Sequence, residues 1–176
     1  NGFNIYGDYF LPEEKRKIYR VTYDHDGWPF ILFEHKRMYF PKDYKFMEDE
    51  NGEYVCDVLG EQGENSPHLY IRGNEGEIKE DSVIVDAGVC EGNFALRYAD
   101  KAKRIYLIES DIRWIEPLKR SFYDYRDKTI LVNKYLEGYN SSDTVTLDSI
   151  IEEKVDFLKM DIEGAEVKAL LGAKEL

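Results

Sequence analysis

The chain has 176 residues, 43% of them apolar, with fourteen tyrosines and nine phenylalanines; this is enough for one full core, or one core plus a small extension, and it excludes a disordered chain. The net charge of −12 argues against nonspecific binding to DNA, RNA or an anionic membrane, each of which repels an acidic surface. Two cysteines, Cys56 and Cys90, are too few for a disulfide framework or a zinc site and point to a reduced, cytoplasmic setting, and no apolar run approaches the roughly 20 residues of a membrane span.

The opening NGFNIYGDYF lacks the basic start and apolar stretch of a signal peptide. It also lacks Met, so residue 1 is not expected to be the native start. There is no internal repeat and no low-complexity tract. The chain changes character near residue 80, giving an expected β-rich extension over 1–80 and an α/β domain over 81–176.

In the extension, KIYRVTY (17–23) sets Tyr19, Val21 and Tyr23 on one strand face at period two. DHDG (24–27) is a turn, WPFILFEH (28–35) the partner strand, and RMYFP (37–41) a third short strand. Tyr19, Tyr23, Phe30 and Phe33 are expected in the core at strand spacing. EDENGE (48–53) is an acidic turn, YVCDVLGEQ (54–62) leans towards a short helix, and GENSPHLY (63–70) is a polar loop whose His68 is a weak candidate for a substrate-side base. His25 and His35 are read as incidental.

Beyond residue 80, strands and helices alternate. SVIVDA (82–87) reads as a short buried strand, and RIYLIES (104–110), TILVN (129–133) and VDFLKMD (155–161) as the second, third and fourth strands. Helices are expected over 92–102, with Phe94, Leu96, Tyr98 and Ala99 facing the core, over 114–125, with Pro117 near the first turn, over 146–153, and over 165–176, with Val167, Leu170 and Leu171 on one stripe. Strands separated by helix-length segments pair in parallel through right-handed crossovers, so the predicted fold is α/β with a doubly wound, mostly parallel sheet. Ligands of such sheets sit beyond the strand C-termini near the point where strand order reverses. Asp86, Glu109 and Asp161 all fall at strand C-termini and should line one crevice.

The stretch VIVDAGVCEGNFAL (83–96) runs a strand into a glycine turn and a helix. Its spacing is D-x-G-x-x-x-G, from Asp86 through Gly88 to Gly92, rather than the G-x-G-x-x-G of a dinucleotide site. Glu91 inside the turn would face a bound pyrophosphate. Two like charges about 5 Å apart cost on the order of 3 kcal/mol at an effective dielectric near 20. A ligand with positive charge reverses that sign, and S-adenosylmethionine carries an ammonium, a sulfonium, a ribose and no phosphate. Glu109, closing the second strand, is placed to accept hydrogen bonds from ribose hydroxyls, although the same residue type serves in nicotinamide sites. Cys90 within the turn is read as a small buried thiol.

VDAGVCEGNFAL, LIESD, TLDSI and above all DFLKMDIEGAEVKALLGA (156–173) resemble the FkbM family of S-adenosylmethionine-dependent methyltransferases. The resemblance runs from about residue 61, where EQGENSPHLY is similar to a segment upstream of the methyltransferase core in some members, to residue 176. It implies a Rossmann-like methyltransferase sheet that binds S-adenosylmethionine across its first two strand ends. Asp86, Gly88, Glu91 and Gly92 then form the cofactor turn, Asn93 and Phe94 open the helix beneath it, Glu109 is the ribose-binding acid, and Ser110 and Asp111 lie beside the adenosine. A complete sheet of this type has seven strands, and four are found here, so the C-terminal part of the domain is expected to be missing.

The implied reaction is O-methyl transfer to a hydroxyl of a sugar, glycan or natural product, with the acceptor oxygen attacking the sulfonium methyl in line and catalysis resting mainly on near-attack geometry. Asp161 is the first candidate for the base or hydroxyl-orienting group, then Glu163, while Glu163 and Glu166 could instead be helix-capping acids. These carboxylates could also ligate magnesium or calcium, but no metal is expected. A nicotinamide-dependent oxidoreductase, disfavoured by the acidic turn, and a noncatalytic or truncated methyltransferase-like binding domain are the alternatives. The acceptor is expected to be a small molecule or glycan, with no nucleic acid or membrane partner, and the oligomeric state is left open.

Overall fold

A computed structural model describes residues 19–56, 69–71 and 78–176. The α/β half is built on a four-stranded sheet of β7 (Ser82–Ala87), β8 (Ala102–Ile108), β9 (Thr129–Val132) and β12 (Phe157–Met160), in the order β12-β7-β8-β9 with every pair parallel. The chain moves outward from β7 to β8 and β9, then returns to place β12 on the far side of β7. The order therefore reverses between β7 and β12, and the first and last motifs of the sequence meet there.

Between these strands lie α1 (Asn93–Tyr98), α2 (Ile112–Ser121), a 3-10 turn over Tyr123–Lys128, a parallel pair of two-residue strands β10 (Tyr135–Leu136) and β11 (Thr144–Val145), and α3 (Leu147–Ile150); α4 (Glu166–Leu170) follows β12. The small parallel pair gives no usable sequence signal. Among the described residues no helix is long and apolar enough to cross a membrane. Helix α2 begins earlier than expected, because Asp111 caps it by accepting from the Arg113 amide at 3.0 Å. Pro117 thus lies inside the helix, where its ring removes the bond an N–H would give to the Arg113 carbonyl.

The N-terminal residues form two small antiparallel sheets. One joins β2 (Thr22–Tyr23), β3 (Pro29–Phe33) and β4 (Lys36–Tyr39); the other joins β1 (Tyr19–Arg20), β6 (Tyr54–Cys56) and β5 (Met47–Glu48). The expected strand over 17–23 is thus split at Val21 between two sheets. Its single face is lost: Tyr19 is buried, whereas Tyr23 is 52% exposed. Phe30 and Phe33 are buried as expected. Residues 54–56, expected in a helix, are the central strand of the second sheet, where pairing on both sides outweighs the local apolar spacing. Both acidic turns close on an aspartate. Asp24 Oδ1 accepts from the amides of Asp26 and Trp28, and Asp49 Oδ1 from those of Asn51 and Glu53.

Period-two alternation gives the parallel sheet two apolar faces. Ile84, Ile105 and Leu107 pack with Phe94, Leu96, Leu118 and Phe122 of the helical layer, and the same cluster takes in Tyr19, Ile31, Phe33, Met38 and Phe40 from the N-terminal strands. Val83, Val85, Ala87, Tyr106 and Ile108 face the other way, onto Leu136, Val145, Leu147 and Ala169. The stripe expected to bury α4 points outward instead: Val167, Leu170 and Leu171 are exposed, and the small Ala169 makes the contact.

Candidate functional site

The site is built where β7 ends. Gly88 turns the chain out of the sheet at φ +72°, and its amide donates to the Ile108 carbonyl at 3.0 Å. A Cβ at this position would overlap the Asp161 carbonyl oxygen, so the turn can lie against the end of β12 only as glycine. Gly92 serves packing. It precedes α1 at φ +80°, and a Cβ there would meet Leu118 Cδ2 at 2.9 Å and Phe122 Cε2 at 3.0 Å.

Glu109 ties this turn to the second strand. Its buried carboxylate accepts from the Cys90 amide at 2.9 Å with Oε2 and from the Asp111 amide at 2.7 Å with Oε1. A carboxylate oxygen accepts more than one hydrogen bond, so capacity is left for a diol. Asn133, just past β9, holds the same corner from behind, its Nδ2 donating to the carbonyls of Glu109 at 2.7 Å and Ser110 at 3.0 Å. Sequence reasoning missed Asn133, because its role depends on which strand end β9 adjoins in the assembled sheet.

Asp86 sits differently from an open ligand. It is fully buried, and Lys159, its register partner on β12, places Nζ 3.0 Å from Oδ1. Burial pushes the Asp86 carboxyl above its ordinary range, and the Lys159 ammonium opposes that shift. The same ammonium donates to the Gly88 carbonyl and reaches the Ala87 carbonyl at 3.4 Å. The Asp86 charge is therefore answered inside the protein, and half-buried Glu91 and buried Glu109 are the other carboxylates of the turn.

Of the remaining predicted cofactor residues, Asn93 and Phe94 open α1. Phe94 is buried, with ring centroids 5.7 Å from Tyr70 and 5.4 Å from Phe157. Ser110 and Asp111 follow β8 at the crevice edge, and Asp111 is ion-paired to Arg113 at 2.6 Å. Cys90, expected to be buried, is exposed at the turn in a left-handed conformation at φ +48°. Protein packed around its sulfur, together with the Glu109 and Glu91 carboxylates, pushes the thiol up to about 12, which keeps it protonated and a poor nucleophile at neutral pH.

Asp161 and Glu163 are exposed just beyond β12. The Asp161 amide donates to the Ala87 carbonyl at 3.0 Å, and its Oδ2 accepts from the Tyr70 hydroxyl at 2.7 Å. Glu163 adopts φ +56° on the loop before Gly164. Glu166 closes that loop: Oε1 accepts from the amides of Ile162 and Gly164, and backbone donors, its own amide first, hold its carboxyl below the usual range. His68 lies outside the described residues. A concavity of about 330 Å³ lined by Ile78, Ser82, Asp156 and Phe157 lies at the opposite end of β7 and β12, away from the glycine turn.

Residues 134–176 match the model of the methyltransferase FkbM domain. The crystal structure of methyltransferase FkbM from Methylobacillus flagellatus KT is similar at 25% identity and a TM-score of 0.50, over 59% of this chain and 32% of that one. The chain thus matches about a third of that protein's length. No curated protein matches. The domain match over β10 to α4, the likeness to a solved FkbM methyltransferase and the parallel α/β sheet agree, and together they liken this chain to the FkbM methyltransferases.

Proposed function

We propose that the chain binds S-adenosylmethionine at the C-terminal ends of β7 and β8 and serves O-methyl transfer to a hydroxyl of a sugar, glycan or natural product. The observation that carries this reading is the buried Glu109 carboxylate, which bridges the Cys90 amide of the glycine turn and the Asp111 amide beyond β8. It puts a negative charge with spare acceptor capacity between the two strand ends where a nucleoside would lie.

The residues present fit that cofactor. Gly88 lets the turn close against the end of β12, Glu109 can accept from ribose hydroxyls, and Glu91 adds a second negative charge suited to a cationic ligand and adverse to a pyrophosphate. When bound, the cofactor supplies an electrophilic methyl group on a sulfonium. On the acceptor side, Asp161 is exposed and held by the Tyr70 hydroxyl, so it can orient a substrate hydroxyl or take its proton, a contribution of about 10²–10⁴-fold. Glu163 stands second in that role. Neither assignment calls for a metal.

Calorimetric titration tests the reading. S-adenosylhomocysteine should bind the chain and NADH should not. Binding of NADH without S-adenosylhomocysteine would favour the nicotinamide alternative and remove the methyltransferase reading.

A further inference from the structure

Lys159 is buried, and among the described residues every polar contact of its ammonium falls on the segment that forms the cofactor turn. Parallel register sets Lys159 directly across from Asp86, on the sheet face that also carries Ile84. Its Nζ lies 3.0 Å from Asp86 Oδ1, donates to the Gly88 carbonyl and reaches the Ala87 carbonyl at 3.4 Å. Both side chains are almost wholly buried, 5% exposed for Lys159 and 1% for Asp86. Tyr70 closes the outer side, its ring centroid 5.3 Å from the ammonium and its hydroxyl on Asp161.

From this geometry we infer that Lys159 is a positioning residue for the cofactor turn, and that Asp86 acts through Lys159 rather than on the ligand. The inference rests on the site reading above and deepens it. The carbonyls of Ala87 and Gly88 are the last two before the chain leaves the sheet. Fixing them sets the planes of the peptides that carry Gly88 N, aimed at Ile108, and Val89 N, from which the turn brings Cys90 N to Glu109. The carboxylate that would meet the ribose is thereby held through the turn that Lys159 anchors. Asp86 supplies the counter-charge that allows an ammonium to sit there, since an unpaired buried charge is strongly disfavoured. A pair serving only sheet stability would have no need to bond the turn carbonyls. The ring of Tyr70 shields the ammonium from water, so one tyrosine links the support of the cofactor turn to the acceptor-side Asp161.

The test uses Lys159→Met and the double variant Asp86→Asn/Lys159→Met, in which no charge is stranded. S-adenosylhomocysteine affinity is measured by calorimetry and amide exchange by NMR. The double variant should fold, bind S-adenosylhomocysteine at least tenfold more weakly than wild type, and show at least tenfold faster exchange at the Gly88 and Cys90 amides, while amides within β8 keep their protection. Lys159→Met should weaken binding at least as much; should that chain not fold, the double variant decides. A folded double variant with wild-type affinity and wild-type exchange at Gly88 and Cys90 would overturn the inference. So would a double variant that does not fold, since the pair would then hold the sheet and not the turn. If wild type itself fails to bind S-adenosylhomocysteine, the site reading has failed and this inference falls with it.

Discussion

At Gly88 a left-handed backbone and a close neighbour act together. The φ of +72° costs an L-residue about 1–2 kcal/mol, and a Cβ would overlap the Asp161 carbonyl oxygen, which is backbone and cannot swing away. Gly88→Ala should therefore lose more than about 2 kcal/mol of stability in urea denaturation and lose S-adenosylhomocysteine binding as well; a variant of wild-type midpoint would show that the turn relaxes freely. Glu109→Gln keeps the volume, but its one carbonyl oxygen can accept from only one of the Cys90 and Asp111 amides and its NH2 group meets the other donor to donor, so affinity for S-adenosylhomocysteine should fall at least about tenfold, equivalent to about 1.4 kcal/mol. Calorimetry on the folded variant reads this directly, and unchanged affinity would free Glu109 of its ribose role. The sequence announces both residues, because a glycine after a buried strand and an acid closing the next strand have positional meaning on their own. Lys159 and Asn133 carry no such mark. Their roles depend on which residue of β12 stands across from Asp86 and on which strand end β9 adjoins, and that register is set by the assembled sheet.

Helix α2 shows how element boundaries escape the sequence and yet decide behaviour. A proline is most often tolerated in the first turn, which pulls the expected start to residue 114. The Asp111 cap is the stronger signal, and the structure obeys it at the cost of placing Pro117 inside the helix. Segments with continuous apolar runs at both ends of a connection, such as 82–87 and 104–110, were legible because a buried parallel strand needs little beyond apolar length. The split at Val21 and the outward face of α4 were not, because both depend on which partner covers which side. Asp111 also gives α2 a pH signature. The Arg113 side chain first, then its amide, holds the Asp111 carboxyl below the usual range. A depressed carboxyl contributes stability that is present above its unfolded value, about 3.9, and is lost as pH falls through the lower folded value. The side chain is about a third exposed, so solvent screening keeps the effect small. The advantage of wild type over Asp111→Asn in denaturant midpoint should narrow as pH drops from about 4 towards 2. A gap that stays constant through that range would remove the cap and ion pair as the cause.

For the molecule as a whole, the question is whether the N-terminal strands and the parallel sheet stand or fall together. Polar ties cross between them: Lys36 pairs with Asp100 at 2.8 Å, Arg97 with Glu34 at 3.0 Å, and Arg120 with Asp24 at 3.0 Å. The Tyr39 amide donates to the buried Ser121 hydroxyl at 2.8 Å. Partly exposed ion pairs are each worth at most about 1 kcal/mol, too little to weld two independent units. The apolar cluster is the stronger bond, because Ile31, Phe33, Met38 and Phe40 share one core with Ile84, Leu96, Leu107 and Leu118. Phe33 is fully buried, under the Arg97 guanidinium at 5.4 Å from its centroid and beside the Tyr19 ring at 6.2 Å. Phe33→Ala should cost about 3–5 kcal/mol, and that loss should be felt at both ends of the chain. The two tryptophans allow this to be read, since Trp28 lies in the N-terminal strand region and Trp114 in α2. In Trp28→Phe and Trp114→Phe backgrounds, each leaving a single reporter, the fluorescence transition should coincide with loss of far-UV circular dichroism, and Phe33→Ala should lower both reporters' midpoints by the same amount. If Trp28 reports a transition of its own while Trp114 holds its wild-type midpoint, the common core fails as a cooperative unit and the N-terminal strands fold as a separate layer on an independent α/β sheet.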